Sequence, residues 1–199
     1  EEPVLKQSIQ SSKVLRYGEN PHQKGVFYGK LEDMFEQVQG KELSYNNYLD
    51  ISSALFTIQH FRFDRPACAV IKHNNPCGVA MGDDPERVLQ MAWQGDATSA
   101  FGSVIAVNRS ADATVLSFLS GKFVEIVCAP KWEAAVAAYC RAKKPKLRLI
   151  EYDPTALRRY YETHPMSRTV VGGFLVQDFD TVNHQKWECV TMACFPQTL

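Results

Sequence analysis

The sequence predicts an α/β protein with helices layered on a mainly parallel or mixed sheet. Two observations carry that expectation: short, wholly apolar runs alternate with amphipathic segments, and polar side chains cluster just after the apolar runs. In open α/β sheets ligands bind outside the carboxyl ends of strands, so those clusters are where chemistry is expected.

In chain order, residues 1–14 read as a lead-in, polar through about Ser12, and Arg16 to Lys24 as a loop rich in turn formers. Gly25–Tyr28 reads as a short strand. Asn46–Phe61 reads as a helix, with Leu49, Ala54, Leu55, Ile58 and Phe61 near helical spacing and Asp50 in its first turn. Cys68–Ile71 is a buried strand. It runs into Lys72-His73 and then a turn, Asn74-Asn75-Pro76-Cys77-Gly78. Asp84–Gly95 is a helix with Pro85 near its start. Gly102–Val107 is a strand, Ser110–Leu119 helical, Val124–Ala129 a strand, and Trp132–Lys143 a helix. Leu147–Glu151 and Thr169–Val176 are further strands.

Of the 199 residues, 45% are hydrophobic and 22% charged, the composition of a soluble globular chain. The 22 basic and 22 acidic residues balance, which gives no global electrostatic reason to expect nucleic acid or an anionic membrane as partner. No stretch approaches the roughly 18 apolar residues of a membrane span, and Glu1-Glu2-Pro3 opens no signal-peptide pattern. With no initiator Met, the chain is expected to be processed, trimmed or cut from something longer. Its six cysteines, at 68, 77, 128, 140, 189 and 194, form no Cys-x-x-Cys pair. Cys68 and Cys128 lie in apolar runs as small hydrophobes. A reduced, cytoplasmic protein is expected.

Lys72-His73 is the first candidate for chemistry. Adjoining cations at the end of a buried strand each disfavour the other's charge, which suits a general base. On spacing alone the plainer reading, a Lys reaching solvent and a His capping a turn, is favoured. In Asp96-Ala97-Thr98-Ser99-Ala100-Phe101-Gly102-Ser103, small hydroxylated residues precede a glycine, so backbone N–H groups could approach a ligand; a tight helix-to-strand connection explains the same residues. Arg16-Tyr17 joins a phosphate-capable guanidinium to an aromatic ring. Glu125 interrupts an apolar strand, and alternation favours its exposure over a place in a site. No Walker loop, Gly-x-Gly-x-x-Gly or Gly-x-Ser-x-Gly occurs. The five His do not pair at i, i+4, and Pro76-Cys77 lacks the second Cys and the His-x-Glu of a zinc deaminase. No zinc or other metal is expected.

Four blocks in order resemble one family: Leu15-Arg16-Tyr17-Gly18-Glu19-Asn20-Pro21-His22-Gln23, Gly40-Lys41-Glu42-Leu43-Ser44-Tyr45-Asn46-Asn47-Tyr48-Leu49-Asp50, Val70-Ile71-Lys72-His73-Asn74-Asn75-Pro76-Cys77-Gly78, and Ser99-Ala100-Phe101-Gly102. Phe123-Val124-Glu125, Ala129-Pro130 and Gly172-Gly173-Phe174-Leu175-Val176-Gln177 continue the match, which runs from about Leu15 to Val190. The family is AICAR transformylase, usually fused to IMP cyclohydrolase. The resemblance implies a three-layer α/β/α fold, cytidine-deaminase-like without zinc, with residues 15–199 as one subdomain plus a C-terminal extension.

It also implies formyl transfer from 10-formyltetrahydrofolate to AICAR in purine synthesis. His73 would assist loss of the amine proton, and Lys72 would help protonate the folate leaving nitrogen or stabilise developing charge. Arg16, Tyr17, Asn47, Ser99, Phe101 and Gly102 match segments that hold the nucleotide, and Glu125 falls where the family carries an acid near the pterin. Three departures stand out: Ala97 where the family often has Pro, Ser103 where a second glycine is usual, and no second subdomain within these 199 residues. That subdomain brings an essential Asn and further nucleotide contacts. Roughly 200 residues supply too few groups to enclose both a nucleotide and a folate, and the family is dimeric, so a homodimer or a complex with a second-half subunit is expected. The alternatives are a non-catalytic nucleotide-binding or assembly module and, ranked lowest, a cyclohydrolase-type activity.

Overall fold

The computed structural model describes residues 8–61 and 64–180. Residues 1–7 of the lead-in, the extension beyond 180, His184, Cys189 and Cys194 lie outside the described residues.

The chain opens with a hairpin of β1 (Ser12–Leu15) and β2 (Gly25–Tyr28), so β1 begins inside the stretch read as a lead-in. Next come β3 (Phe35–Gln39), α1 (Tyr45–Ile58), β4 (Ala67–Lys72), β5 (Asn75–Met81), α2 (Pro85–Gln94), β6 (Ser103–Val107), α3 (Ala113–Phe118), β7 (Val124–Ala129), α4 (Ala134–Lys143), β8 (Arg148–Tyr152) and α5 (Pro154–Thr163). A second hairpin, β9 (Met166–Val170) and β10 (Gly173–Gln177), follows. Six strands form the central sheet in the order β3-β8-β7-β6-β4-β5. The β6–β7 and β7–β8 pairs are parallel, and the other three pairs are antiparallel.

The fold is α/β and three-layered. Strand side chains alternate between the two faces. Cys68, Val70, Ile105, Val107, Val127 and Ala129 pack with Val88 and Leu89 of α2, Phe118 of α3 and Val136 of α4. Ala69, Ile71, Val104, Ala106, Ile126 and Cys128 pack with Ile51 and Leu55 of α1 and Leu157 of α5. Burial on both faces explains why the central strands read as unbroken apolar runs. It also pushes the Cys68 thiol up to about 12, consistent with a small hydrophobe.

Helix starts follow side-chain caps. Asp84, Asp112 and Asp153 each accept amide protons from the first turn of α2, α3 and α5. Ser44 caps α1 in a reciprocal pair with Asn47. That cap shifts the expected Asn46–Phe61 helix slightly forward and puts Asp50 beyond the first turn, where the helix dipole does not explain it. α4 starts later than expected because the backbone N–H of Trp132 donates to Glu151 at 3.2 Å and its indole Nε1 donates to Ile150 O at 3.0 Å.

The expected turn at Asn74–Gly78 is instead mostly strand: the chain reverses at His73-Asn74 and β5 starts at Asn75. Pro76 is tolerated because β5 is an edge strand and the register slips there, leaving Cys77 as an extra residue. The expected strand Thr169–Val176 is a hairpin turning at Val171-Gly172.

Helix α2 lies so close to β5 that a Cβ on Gly78 would collide with the backbone carbonyl oxygen of Ala92, and one on Gly95 would meet Gly78 Cα at 2.9 Å. Because those obstacles are backbone, Gly78→Ala is expected to lower stability by about 3 kcal/mol, the upper end for overpacking. Urea unfolding monitored by far-UV circular dichroism measures it, and a loss below about 1 kcal/mol would mean the helix and strand separate freely.

Candidate active site

β4 runs antiparallel to β6, whereas β6, β7 and β8 run parallel. The last residue of β4, Lys72, therefore comes out beside the first residues of the other three strands. Lys72 ends β4 and His73 follows it, at the carboxyl end of a buried strand as expected, while the residues around them come from the amino ends of β6 to β8 and from α1. The half-buried Lys72 donates from Nζ to Gly102 O at 2.8 Å. Gly102 has φ +69°, and its N–H donates to Phe123 O at 2.8 Å. A Cβ there would lie 3.0 Å from the Phe123 ring and 3.2 Å from Lys72 Nζ, so the position requires glycine for both its φ and its space.

His73 (φ 50°) and Asn74 (φ 65°) form the two-residue loop between paired Lys72 and Asn75. Two successive left-handed residues match the twist of a hairpin. For residues with a Cβ the conformation costs of order 1–3 kcal/mol each and persists only where neighbours enforce it. Asn75 Nδ2 donates to His73 O at 2.9 Å, and Asn74 N–H donates to Asp50 Oδ1 at 2.8 Å. The His73 ring is left on an exposed residue. Burial raises the Asp50 carboxyl; the Asn74 amide and the charges of His73 and Lys72 pull it back, and Glu125 pushes it up again.

Glu125 departs from the expected exposure. Ser103 pairs with Val124 and Val104 with Ile126, so Glu125 is the extra residue of a β-bulge and leaves the strand's alternation. Its Oε1 accepts from Arg148 Nη1 at 3.0 Å and from Asn47 Nδ2 at 3.2 Å. Asn47 is buried, and its Oδ1 also accepts from Ser44 N–H at 3.1 Å. Arg148 Nε donates to Lys41 O at 3.1 Å.

Asn47 and Asp50 stand three apart on α1, on one helix face. One reaches Glu125 and the other the His73-Asn74 turn, so α1 joins the two halves of the cluster. Phe101 is 66% exposed and packs on Phe123, which is 51% exposed, with ring centroids 4.9 Å apart. This open aromatic pair borders Gly102.

The remaining predicted residues are placed less directly. Arg16 lies 5.8 Å from the centroid of its neighbour Tyr17. Their loop is tied to the start of α1 by Asn46 Nδ2 donating to Glu19 O at 3.1 Å. Ser99 is engaged by Asp96, donating from Oγ to Oδ2 at 2.5 Å and from N–H to Oδ1 at 3.0 Å. The Ser99 hydroxyl is the main reason Asp96 titrates below the usual carboxylate range. Sequence reasoning missed Asp50 and Arg148. Only the three-residue spacing from Asn47 hinted at the first, and nothing local marked the second. Among the described residues, no three His, Cys, Asp or Glu side chains gather so as to hold a metal ion, and no helix is long and apolar enough to cross a membrane.

An anchored ammonium, an exposed imidazole on a fixed turn, a hydrogen-bonded carboxylate and an open aromatic pair define an α/β domain with a candidate acid–base site. The chain belongs to the AICARFT/IMPCHase bienzyme family, whose model matches residues 1–198. It is 40% identical over 198 residues to the bifunctional purine biosynthesis protein PurH of Prochlorococcus marinus strain NATL1A, covering 93% of this chain and 38% of that protein. The PurH proteins of Xylella fastidiosa strain 9a5c and Synechococcus sp. strain WH7803 are 42% and 44% identical, covering 85% and 83% of this chain. The chain spans 32% and 33% of their lengths.

Two outcomes test this geometry. The side chains of Arg148 and Glu125 are 15% and 37% exposed, so their pair is partly shielded from water. A double-mutant cycle with Glu125→Gln and Arg148→Met is expected to give a coupling of about 1–2 kcal/mol, above the 0–1 typical of exposed pairs; chemical denaturation supplies the four free energies.

Asp50 binds its proton more tightly folded than unfolded, because burial raises it. Its ionisation therefore costs stability as pH rises from the unfolded carboxyl range through the folded value, and the full cost remains above that. Asp50→Asn, neutral throughout and still offering an oxygen to Asn74, is expected to be the more stable protein at pH 7. Its advantage should shrink toward about pH 3, as read from thermal melts across the range.

Proposed function

We propose that this chain forms the first of two cytidine-deaminase-like, zinc-free subdomains of an AICAR transformylase, with residues 1–14 as lead-in and 15–199 as the subdomain and its extension. It takes part in formyl transfer from 10-formyltetrahydrofolate to the amine of AICAR. The observation that carries this reading is Lys72 and His73 side by side at the strand end, one amine anchored on Gly102 O and one imidazole exposed on a fixed turn.

In this transfer the amine nitrogen bonds to the formyl carbon, the bond from that carbon to the folate nitrogen breaks, and one proton moves from the amine to the departing nitrogen. His73 takes the amine proton. Lys72 supplies a proton to the folate nitrogen or offsets the negative charge building on the formyl oxygen. Of three ammonium protons, one is committed to Gly102 O, which orients the rest without consuming them.

Glu125, held by Arg148 and Asn47, faces the folate; an acceptor so fixed suits a heterocycle with N–H donors. Asn47 contributes chiefly by fixing Glu125, since its amide is already bonded at both ends. Phe101 and Gly102 offer the AICAR ring a flat apolar wall and a close backbone approach, and Arg16, Tyr17 and Ser99 complete the nucleotide side. The longer relatives support a site finished by further polypeptide, either a second copy or a second-half subunit.

His73→Ala should lower turnover by about 10²–10⁴-fold while changing AICAR affinity far less, because proton removal is needed mainly in the transition state. Lys72→Ala should behave alike, and the double variant should lose less than the product of the two. Steady-state kinetics and calorimetry, on the full chain alone and with the remaining portion of a PurH relative, decide this. Unchanged turnover in His73→Ala removes the residue from the mechanism, whereas no turnover in the parent, alone or complemented, leaves the non-catalytic nucleotide-binding module as the better reading.

A further inference from the structure

We propose that Asp50 is a positioning residue of the transfer site: from α1 it clamps the His73-Asn74 turn and so aims the His73 imidazole. The proposal rests on the transformylase reading for its kinetic consequence and on geometry alone for the clamp.

Two residues with side chains hold positive φ in succession, at the point where His73 leaves the sheet. Rotation about either residue would redirect the imidazole, so the direction of the ring depends on what fixes the turn. Within the hairpin, Asn75 Nδ2 ties the His73 carbonyl. The Asn74 N–H is tied from outside it, by an Asp50 oxygen at 2.8 Å across 24 residues of sequence.

The charges facing Asp50 are His73, Lys72 and Glu125, drawn from three different elements, so the carboxylate lies within the cluster. The next turn of the same helix face carries Asn47, which holds Glu125. A sliding or tilting α1 would therefore move His73 and Glu125 together, and Asp50 is the contact that couples the helix to the turn.

The test compares Asp50→Ala, which removes the acceptor, with Asp50→Asn, which keeps an oxygen of the same reach. In the full chain, Asp50→Ala is expected to lower kcat about 10–100-fold while KM for AICAR stays within about 3-fold, the pattern of a loss confined to the transition state. Asp50→Asn is expected to recover most of that rate. Because Asp50→Asn is also expected to be the more stable at pH 7, rate and stability separate the two roles.

Isotope-labelled NMR reads the clamp without any reaction: the Asn74 amide and His73 ring resonances should shift strongly in Asp50→Ala and little in Asp50→Asn. Unmoved resonances in Asp50→Ala, or a kcat equal to the parent's, overturn the proposal. So does an Asp50→Asn variant as slow as Asp50→Ala. If the parent itself transfers no formyl group, the transformylase reading fails, and the NMR comparison alone then decides whether Asp50 aims His73. Should Asp50→Ala fail to fold, Asp50→Leu at low temperature replaces it in the same comparison.

Discussion

The antiparallel seating of β4 between β5 and β6 is the constraint from which the candidate site follows. Had β4 run parallel to β6, Lys72 would emerge at the far end of the sheet, away from Gly102, Glu125 and Arg148. Because it runs the other way, a strand end meets three strand beginnings. The ammonium of Lys72 then meets the carbonyl of Gly102, a residue that turns through φ +69° and donates its own N–H to Phe123. The hairpin that reverses the chain after Lys72 is only two residues long, so His73 has nowhere to go but the same end of the sheet.

Much of this was legible in the sequence, for a definite physical reason. Central strands buried on both faces must be apolar throughout, and β4, β6 and β7 announced themselves within a residue or so of their bounds. Helix α2 was equally plain, since Asp84, Pro85 and Gly95 are its cap, first residue and end. What escaped were elements whose stability is supplied from elsewhere. β3, Phe-Glu-Gln-Val-Gln, is an edge strand with three polar residues in five, held by pairing to β8 and by Gln39 Nε2 donating to Lys144 O and Leu147 O. β5 was hidden because Asn-Pro-Cys-Gly has turn chemistry, and only the edge position with its bulge lets it lie in a sheet.

The site divides along the same line. Lys72 and His73 could be placed at a strand end because they terminate a strong strand signal, while a chemical role for them came only from the family resemblance. Glu125 could be seen but not oriented, since alternation holds only while register holds, and one inserted residue on β7 turned the side chain toward Asn47 and Arg148. Arg148 opens β8 at a spot that local pattern describes only as a charged strand end; its partners lie 23 and 107 residues away. Asp50 is similar, with a partner 24 residues on that exists only once β4 and β5 have paired.

Local costs accumulate around this cluster. Two consecutive residues hold positive φ, a half-buried carboxylate lies where burial opposes its charge, and Ser103 Oγ is buried without a hydrogen-bond partner at the start of β6. Any one of them could be relieved by a conservative change: glycine in the turn, Asn for Asp50, or alanine for Ser103. Each unfavourable feature is held in place by the well-packed layers on both faces of the sheet, whose buried aliphatic side chains dominate the folding energy. That arrangement separates two tasks. The core supplies an excess of stability at the middle of the sheet, and its end tolerates strained, charged and orphaned groups that would not persist on a weaker scaffold. The Asn47-Asp50 face of α1 is where the tasks meet, since Ile51, Ala54, Leu55 and Ile58 of the same helix anchor it to the core and fix where its polar face can reach.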